Sequence, residues 1–529
     1  MRPATPSGSR GRSRRCASAL AALALTLGCG GGADGAPRPT CLPLEPPTGA
    51  SSNPAARLSD ARYRAFDPRA EDVSGYVTRR IAERGGPFDW NLADPSALCA
   101  ASAAKSRPLV VGVTGSTTGE RHRGLDRLEV ELGRAFGGAV RIERRNDRLG
   151  TLRLALGSCA QLGVLRGLDG VGFVEVEPAL DARAEVRGYA SVVGTALAAP
   201  SLDALPTLNP GLYEPGDPRY PSYADFIAKI DPDSAAWIRG QHMDRVHDEL
   251  GLFGSPAVGV AVLDNGVLPE WVDYLSTGGA YRTAGYHPPD LGQTHPQDGD
   301  FFGLSKIIPN TFDHGTRQSR YIQCFAPRAN RATVRGASLP YLLLSDDLTG
   351  ATNGLLALAD DDGVQVISMS MGTIFRSQEM ERAIDEVHAR GKILVAAAGT
   401  SIPVVRDIIG VVFPATLPTV ISATGLSDTT QTGGRFVLGS ASHGGPENDF
   451  AVEPSPASSE AVSSLAGIIA ALWSIDPTQP PESIVDALIR SSNFYQASGA
   501  KDPLLGWGRV DAYEAALTIR DGGCQVGQR

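Results

Sequence analysis

The segment AVGVAVLDNG, residues 257–266, is an apolar run that stops abruptly at Asp264. An apolar run of this length without alternation predicts a strand buried on both faces, and the Asp-Asn-Gly that follows predicts a turn. Two similar runs lie further along, VQVISMSM at 364–371 and ILVAAA at 393–398, separated by an amphipathic helical pattern at 378–390. Buried strands that alternate with helices predict an α/β fold in which helices cover both faces of a parallel sheet.

Polar residues follow each of these three predicted strands. Asp264, Ser370 and Thr400 lie at or just beyond the carboxyl ends of the strands. Ligands of parallel α/β sheets bind outside the carboxyl ends of the strands, because the loops that can hold them meet there. We therefore expect a functional site at this edge of the sheet.

Asp264, His314 and Ser459 form a candidate catalytic triad. His314 lies in the short motif DHGT, and Ser459 closely precedes the helical run 462–473. The order Asp, His, Ser along the chain is that of subtilisin and differs from the orders in chymotrypsin and the α/β-hydrolases. Each residue alone also has a structural interpretation, since Asp264 suits a turn, His314 a loop and Ser459 the N-cap of a helix. The adjacent Ser458 leaves the position of the nucleophile open by one residue.

Seven segments in the same order resemble motifs of the subtilisin-like serine peptidases, the subtilases. They are VGVAVLDNGV, HGT, ISMSMG, VAAAGT with FPATLPTVISATG, ASHGGPENDFAVEPS, ASSEAVSSLAGIIAALW and GWGRVDAYEAAL. The resemblance covers residues 234–520 and implies a subtilisin-like three-layer fold with a central parallel sheet. It also implies hydrolysis of peptide bonds in peptide or protein substrates, with no required cofactor.

The resemblance implies a role for each site residue. Ser459 would attack the peptide carbonyl, His314 would accept its proton, and Asp264 would hold the imidazole in the correct tautomer. The family's oxyanion asparagine corresponds to Thr400. The implied substrate-binding residues follow two of the strands and are Ser370, Met371, Gly372, Ala397, Ala398 and Gly399. The last three are small and apolar, which favours an apolar side chain before the cleaved bond.

Several positions around the implied site depart from the family pattern. Thr400 replaces the oxyanion asparagine, whose loss in subtilisin costs about 10²–10³ in rate. Ala457 replaces a glycine, Glu460 replaces the methionine next to the nucleophile, and RQSR at 317–320 replaces HVAG. The sequence therefore leaves two functions open. One is an active serine endopeptidase, and the other is a subtilase-fold pseudoenzyme that binds peptides or has a surface role without cleavage.

Residues 1–28 have the features of an export signal. Five arginines precede the apolar stretch 16–27, which is too short to span a bilayer. The Leu-Gly-Cys that ends at Cys29 resembles a bacterial lipobox, so we expect Cys29 to carry a lipid that anchors the chain to the outer membrane or cell surface. Secretion without a lipid is the alternative. Residues 29–107 are then the lipidated cysteine and a flexible spacer.

Residues 108–181 predict a separate small domain. Their order of strand, helix, strand, strand, helix and strand is the βαββαβ order of ferredoxin-like domains. The domain is similar to the subtilase propeptide, which blocks the cleft, so the chain is expected to be a zymogen with its own propeptide as a partner. Residues 182–233, rich in Pro and Ala, are expected to be a linker, and 521–529 a C-terminal tail.

The composition narrows the class of protein further. The 49 basic and 58 acidic residues give a net charge of −9, which argues against a nucleic-acid partner. Cys16 and Cys29 aside, five cysteines remain, so two disulfides are allowed and at least one thiol is free. The acidic runs 346–347 and 360–362 are interpreted as solvated loops. A structural calcium ion, as many subtilases hold, has no ligand set that the sequence places.

Overall fold

The computed structural model describes residues 39–44, 88–89, 98, 108–176, 205–264, 266–267, 271–283, 314–335, 348–373, 375–400 and 410–524. These residues belong to one compact unit, Pro39–Arg529. The predicted signal, Cys29 and the acidic run 346–347 lie outside the described residues.

Strands and helices are numbered here along the chain. The strands are β1 (Phe88–Asp89), β2 (Leu109–Val113), β3 (Val140–Asn146), β4 (Thr151–Leu156), β5 (Val171–Val176), β6 (Gly259–Asp264), β7 (Tyr281–Thr283), β8 (Asn330–Arg335), β9 (Val366–Met369), β10 (Phe375–Arg376), β11 (Ile393–Ala397), β12 (Ile421–Gly425), β13 (Phe450–Val452) and β14 (Gly508–Arg509). The α-helices are α1 (Thr118–Phe136), α2 (Ala160–Arg166), α3 (Tyr223–Ile227), α4 (Pro232–Gly240), α5 (Met243–Asp248), α6 (Val272–Leu275), α7 (His314–Phe325), α8 (Leu348–Ala359), α9 (Gln378–Ala389), α10 (Ser458–Trp473), α11 (Pro481–Ser491), α12 (Asn493–Ser498) and α13 (Ala512–Arg520).

The large domain is built on an eight-stranded sheet in the order β14-β13-β12-β11-β9-β6-β8-β7. Each neighbouring pair is parallel. Successive side chains of a strand point to opposite faces, so Val260 and Val262 of β6 pack in the cluster that contains α7 and α10. Ala261 and Leu263 pack in the cluster that contains α8 and α9. Both faces are therefore covered by helices, which confirms the predicted α/β three-layer fold.

The small domain is a four-stranded sheet in the order β3-β4-β2-β5. Its neighbouring strands are all antiparallel, and α1 and α2 pack on it through a core of Leu and Val residues. A capping box starts α1, because Thr117 accepts from the Glu120 backbone N–H while the Glu120 carboxylate accepts from the Thr117 N–H. The predicted βαββαβ order is confirmed for the described residues 108–176.

The small domain contacts the large one mainly at α9. The Glu175 carboxyl group accepts hydrogen bonds from Ser377 Oγ at 2.9 Å and from the backbone N–H groups of Gln378 and Glu379 at 2.9 and 3.3 Å. It therefore caps the N-terminus of α9, where backbone donors have no partner within the helix. Further along α9, Arg382 donates to the Val113 carbonyl at 2.7 Å.

The described part of the predicted linker, 205–233, belongs to the large domain. It contains a 3₁₀ turn at Pro210–Leu212, then α3 and the start of α4. Tyr213 and Tyr223 are buried in the main core beside α7. The sequence analysis expected a linker here, because the turn and helices are too short to show a periodic spacing of apolar residues. Their aromatic side chains are nevertheless part of the core.

The two ends of the described chain contact each other. A disulfide joins Cys41 to Cys524, the Leu42 backbone N–H donates to Asp486 Oδ1 at 2.7 Å, and Trp507 Nε1 donates to the Leu44 carbonyl at 3.1 Å. Cys159 is also disulfide-bonded, whereas Cys324 is free and buried. No helix among the described residues combines the length and apolar character that a membrane crossing needs.

Arg331 of β8, the strand beside the edge strand β7, is a buried cation that is 2% exposed. Its guanidinium donates only to backbone carbonyls among its described contacts. The acceptors are the carbonyl oxygens of Leu275, Thr277, Gly279, Pro327 and Ala329. The side chain thereby holds the loop between α6 and β7 against the turn before β8.

Candidate active site

Asp264 and His314 are in direct contact. Asp264 is the last residue of β6 and is 1% exposed, and His314 is the first residue of α7. His314 Nδ1 lies 3.0 Å from Asp264 Oδ1 and 2.9 Å from Oδ2. Because a carboxylate only accepts hydrogen bonds, Nδ1 carries the proton and Nε2 presents its lone pair in the neutral imidazole. This is the tautomer in which Nε2 can act as a base.

The two adjacent serines at the start of α10 face different partners. Ser458 Oγ donates to the Gly399 carbonyl at 2.8 Å, and this side chain is fully buried. Ser459 is the second residue of α10 and is 5% exposed. No hydrogen bond joins Ser459 Oγ to His314 within the described part of the chain, although its backbone carbonyl accepts from Ser370 Oγ at 3.1 Å. Of the two serines, Ser458 is therefore committed to the loop after β11.

His314 Nε2 has a neighbour that the sequence analysis did not assign. Gln318 Nε2 lies 3.2 Å from it, one helical turn along α7. The other end of the Gln318 amide, Oε1, accepts from Ser463 Oγ at 2.5 Å and faces Ser370 Oγ at 3.3 Å. The residues His314, Gln318, Ser370 and Ser459 thus form a connected series of contacts across the carboxyl edge of the sheet.

Thr400 lies beside Ser458. Their hydroxyl oxygens are 2.8 Å apart, and Thr400 Oγ1 also accepts from the Ser458 backbone N–H at 3.3 Å. A hydroxyl has one proton, and that of Ser458 goes to the Gly399 carbonyl. Thr400 therefore donates its own proton to Ser458.

Glu460 places a carboxyl next to Ser459. Its Oε2 is buried and has no hydrogen-bond partner among the described residues. Burial raises the pKa of Glu460. The positive charges of His314 and Arg317 lower this pKa, and the negative charge of Asp233 raises it further. Tyr321 on α7 is close enough for Glu460 to raise the pKa of its phenol, after burial as the main cause. An ionisable group whose charged form is disfavoured thus lies directly after the candidate nucleophile.

The predicted substrate-binding residues form two neighbouring backbone segments. Ser370, Met371 and Gly372 follow β9, and Ala397 ends β11 before Ala398 and Gly399. All except Gly372 are buried. The two segments are joined by 411–413, because the Val412 N–H donates to the Ala398 carbonyl at 3.0 Å and Thr373 pairs with Phe413.

Two side chains shape this pair of segments and were missed in the sequence analysis. A Cβ on Gly399, whose φ is +128°, would lie 2.4 Å from His443 Nδ1. A Cβ on Gly372 would lie 2.4 Å from Val412 Cγ2. No local pattern marks His443 or Val412, since both reach the site through tertiary packing. Gln318 was detectable in principle, because residues four apart on a helix face each other.

No group of three or more possible metal ligands occurs among the residues that the structure describes. In the acidic run 360–362, the Asp360 carboxylate is paired with Arg148 at 2.6 Å and with Arg390 at 2.7 Å. These ion pairs lower the pKa of Asp360. The carboxylate thus has cationic partners from both domains.

Comparison with solved structures identifies the fold. Fervidolysin from Fervidobacterium pennivorans, a keratinolytic enzyme related to subtilisin, matches with a TM-score of 0.53 at 17% identity, over 78% of this chain and 61% of fervidolysin. The epidermin leader peptide processing serine protease of Staphylococcus aureus matches with a TM-score of 0.48 at 14% identity, over 79% of this chain and 99% of that protein. No protein-family model matches the sequence. From the fervidolysin match and the parallel sheet with its helical layers, the chain has the fold of the subtilisin-like serine proteases.

Proposed function

We propose that this protein is an exported serine endopeptidase that hydrolyses peptide bonds through Asp264, His314 and Ser459. The observation that carries the proposal is the contact of both Asp264 carboxylate oxygens with His314 Nδ1. A buried carboxylate that fixes this tautomer is the arrangement by which His314 becomes a general base. Ser459, at the start of α10, would be the nucleophile.

The proposed chemistry follows from the elements that carry these residues. His314 Nε2 would take the proton of Ser459 as its Oγ attacks the carbonyl carbon, and would return it to the leaving amine. The first turn of α10 has backbone N–H groups without partners in the helix, and its dipole favours negative charge. That turn would stabilise the oxyanion, while Asp264 would stabilise the imidazolium.

The small domain supports synthesis of the chain as a zymogen. It contacts α9, the helix that leads into β11, through Glu175 and through the ion pair of Arg148 with Glu386 at 3.2 Å. The predicted linker follows the small domain, and we propose the maturation cut in its part 182–204. Extended peptides are the proposed substrates, pairing with the backbone of Ser370–Gly372 as an added strand. We further propose anchoring through a lipid on Cys29.

Two observations favour a second function, that of a pseudoenzyme which binds peptides without cleaving them. The Thr400 proton is committed to Ser458, so this side chain does not supply the second oxyanion donor. Glu460 also brings a carboxyl next to Ser459, and an ionised carboxylate there would oppose the oxyanion. Both features lower the expected rate without removing a member of the triad.

A fluorophosphonate probe separates the two functions, because it reacts only with an activated serine. We expect the purified chain to be labelled, the Ser459→Ala variant to lose labelling, and the Ser458→Ala variant to retain it. The same preparations are compared on a reducing gel for self-cleavage in the linker at 182–204, which should also stop in Ser459→Ala. Absence of labelling in all three, also after limited removal of the small domain by an added protease, would establish the pseudoenzyme.

A further inference from the structure

The Gln318 amide has a fixed orientation. Ser463 Oγ donates to its Oε1 at 2.5 Å, so the carbonyl end points toward α10. Gln318 and Ser463 are both buried, with exposures of 1% and 0%. The NH₂ end is left facing His314 Nε2 at 3.2 Å. An amide nitrogen is only a donor, so this contact is stable when Nε2 offers a lone pair.

The same lone pair is the one that the nucleophile needs. With Nδ1–H committed to Asp264, an uncharged imidazole has a single acceptor position, at Nε2. Ser459 Oγ must donate to that position before it can lose its proton. Gln318 and Ser459 therefore compete for one lone pair.

We infer that Gln318 is a positioning residue that occupies the proton-accepting nitrogen of His314 in the resting protein and yields it to Ser459 when substrate is bound. This inference rests on the proposed function. The Gln318 amide acts through His314 and touches no reacting atom of the substrate. Its hydrogen bond stabilises the neutral imidazole with the proton on Nδ1. Ser459 is less reactive in this state, because the lone pair that would accept its proton is occupied.

A measurable consequence follows for the acid–base behaviour of His314. A hydrogen bond donated to the lone pair stabilises the neutral imidazole, so its removal must make His314 easier to protonate. Among the described residues, Asp264 from β6 pairs with His314, Glu460 from α10 interacts with His314 electrostatically, and Arg317 on α7 interacts with Glu460. All three residues are unchanged in the variants described below, so a shift in the pH midpoint of His314 reflects the change in its hydrogen bond with the Gln318 amide.

The experiment is an NMR titration of His314 in the full chain with Ser459→Ala, which prevents self-cleavage. Eight histidines contribute signals, and the signal of interest is the one missing in His314→Asn. We expect Gln318→Leu to raise the pH midpoint of this signal by about 0.5 to 1, the equivalent of one neutral hydrogen bond. Ser463→Ala, a smaller change that frees Oε1, should shift the midpoint in the same direction by a smaller amount.

With Ser459 restored, Gln318→Leu should react with the fluorophosphonate about three- to tenfold faster than the parent, because the competitor for Nε2 is gone. A midpoint that stays constant or falls in both Gln318→Leu and Ser463→Ala overturns the inference, whether or not the parent is labelled. A raised midpoint without labelling of any form with Ser459 supports the contact of Gln318 with His314 and contradicts the proposed endopeptidase.

Discussion

Thr400 and Ser458 share a hydrogen bond between their hydroxyl oxygens, 2.8 Å apart, and the direction of that bond follows from the second contact of Ser458. Ser458 Oγ is also 2.8 Å from the Gly399 carbonyl, which can only accept. The Gly399 carbonyl accepts a further bond from the His443 N–H at 2.9 Å. The loop after β11 is thus closed onto the first residue of α10, and the Thr400 proton is used within that closure.

A pair of substitutions at Thr400 tests this arrangement. Thr400→Asn should raise kcat by up to about 10²-fold, because the longer amide side chain can donate to the oxyanion. The hydrogen bond between residue 400 and Ser458 would then be lost. Thr400→Val keeps the size of the side chain and removes the hydroxyl, and should change kcat by less than about threefold. Both are measured with one peptide substrate at saturation. A loss of about 10² or more in Thr400→Val would show that the threonine itself is the oxyanion donor.

Glu460 should make activity fall at high pH. Burial raises the pKa of this carboxyl, so it is neutral in acid and becomes an anion beside Ser459 as the pH rises. An anion there opposes the negative charge of the tetrahedral intermediate. We expect Glu460→Gln to match the parent in kcat/KM in acid and to exceed it increasingly as the pH rises.

The measurement is the pH profile of kcat/KM for the parent, Glu460→Gln and Glu514→Gln, the last being an exposed glutamate on α13. Glu514→Gln should have the parent profile. A Glu460→Gln variant that is less active than the parent at every pH would mean that the carboxylate assists catalysis.

Docking of the small domain should weaken as the pH rises. Burial raises the pKa of Glu175 from 4.5 to about 8, and the nearby Glu379 carboxylate adds to this effect. The hydrogen bonds that Glu175 accepts at the start of α9 lower the pKa but do not cancel the effect of burial. The folded chain therefore binds this proton more tightly than the unfolded chain. The resulting stability is present below pH 4.5 and is lost as the pH rises through about 8.

Glu175→Gln in the Ser459→Ala chain isolates this effect. The glutamine amide cannot ionise, whereas the parent loses the stabilisation from its bound proton as the pH rises. The Tm of Glu175→Gln minus the Tm of the parent should therefore increase steadily between pH 4.5 and about 8. Thermal unfolding at several pH values in that window gives the comparison. The opposite trend, in which the variant loses stability relative to the parent as the pH rises, would show that Glu175 acts as an ionised cap of α9.

Arg331 should be among the most important residues for stability in the large domain. Burial lowers the pKa of Arg331 to about 10, so the guanidinium stays charged at neutral pH. Arg331→Leu would leave several buried carbonyls without their donor and should lower the free energy of unfolding by about 3 kcal/mol. Arg328→Leu, an exposed change in the preceding turn, should cost less than about 1 kcal/mol. Equal losses in the two variants, measured by urea unfolding, would contradict this role.

The main fold was predictable because the buried strands are long and apolar. The predicted strand ending at Asp264 and the predicted helix 378–390 match β6 and α9 closely, because the spacing of apolar residues and the turn residues that follow agree at both. The segment 205–233 was not predictable in this way. Its helices are short, and its aromatic residues become informative only when α7 is packed against them.

The site was predictable in its order but not in its hydrogen bonds. The contact of Asp264 with His314 was expected from the resemblance, and the structure brings the two residues together. The use of the Thr400 proton depends on where the Ser458 hydroxyl points, which no sequence pattern encodes. Whether these residues perform the proposed catalysis stays a prediction that the serine probe tests.

The Cys41–Cys524 disulfide makes the chain a covalent ring from the N-terminal segment to the last described residues. One cut in the linker at 182–204 opens that ring without dividing it, so the small domain remains attached to the domain that it touches. Its inhibition would then be intramolecular and would not weaken on dilution. Separation of the two pieces would need either a second cut or a reductant, so the redox state of the surroundings would decide whether a processed molecule loses its small domain.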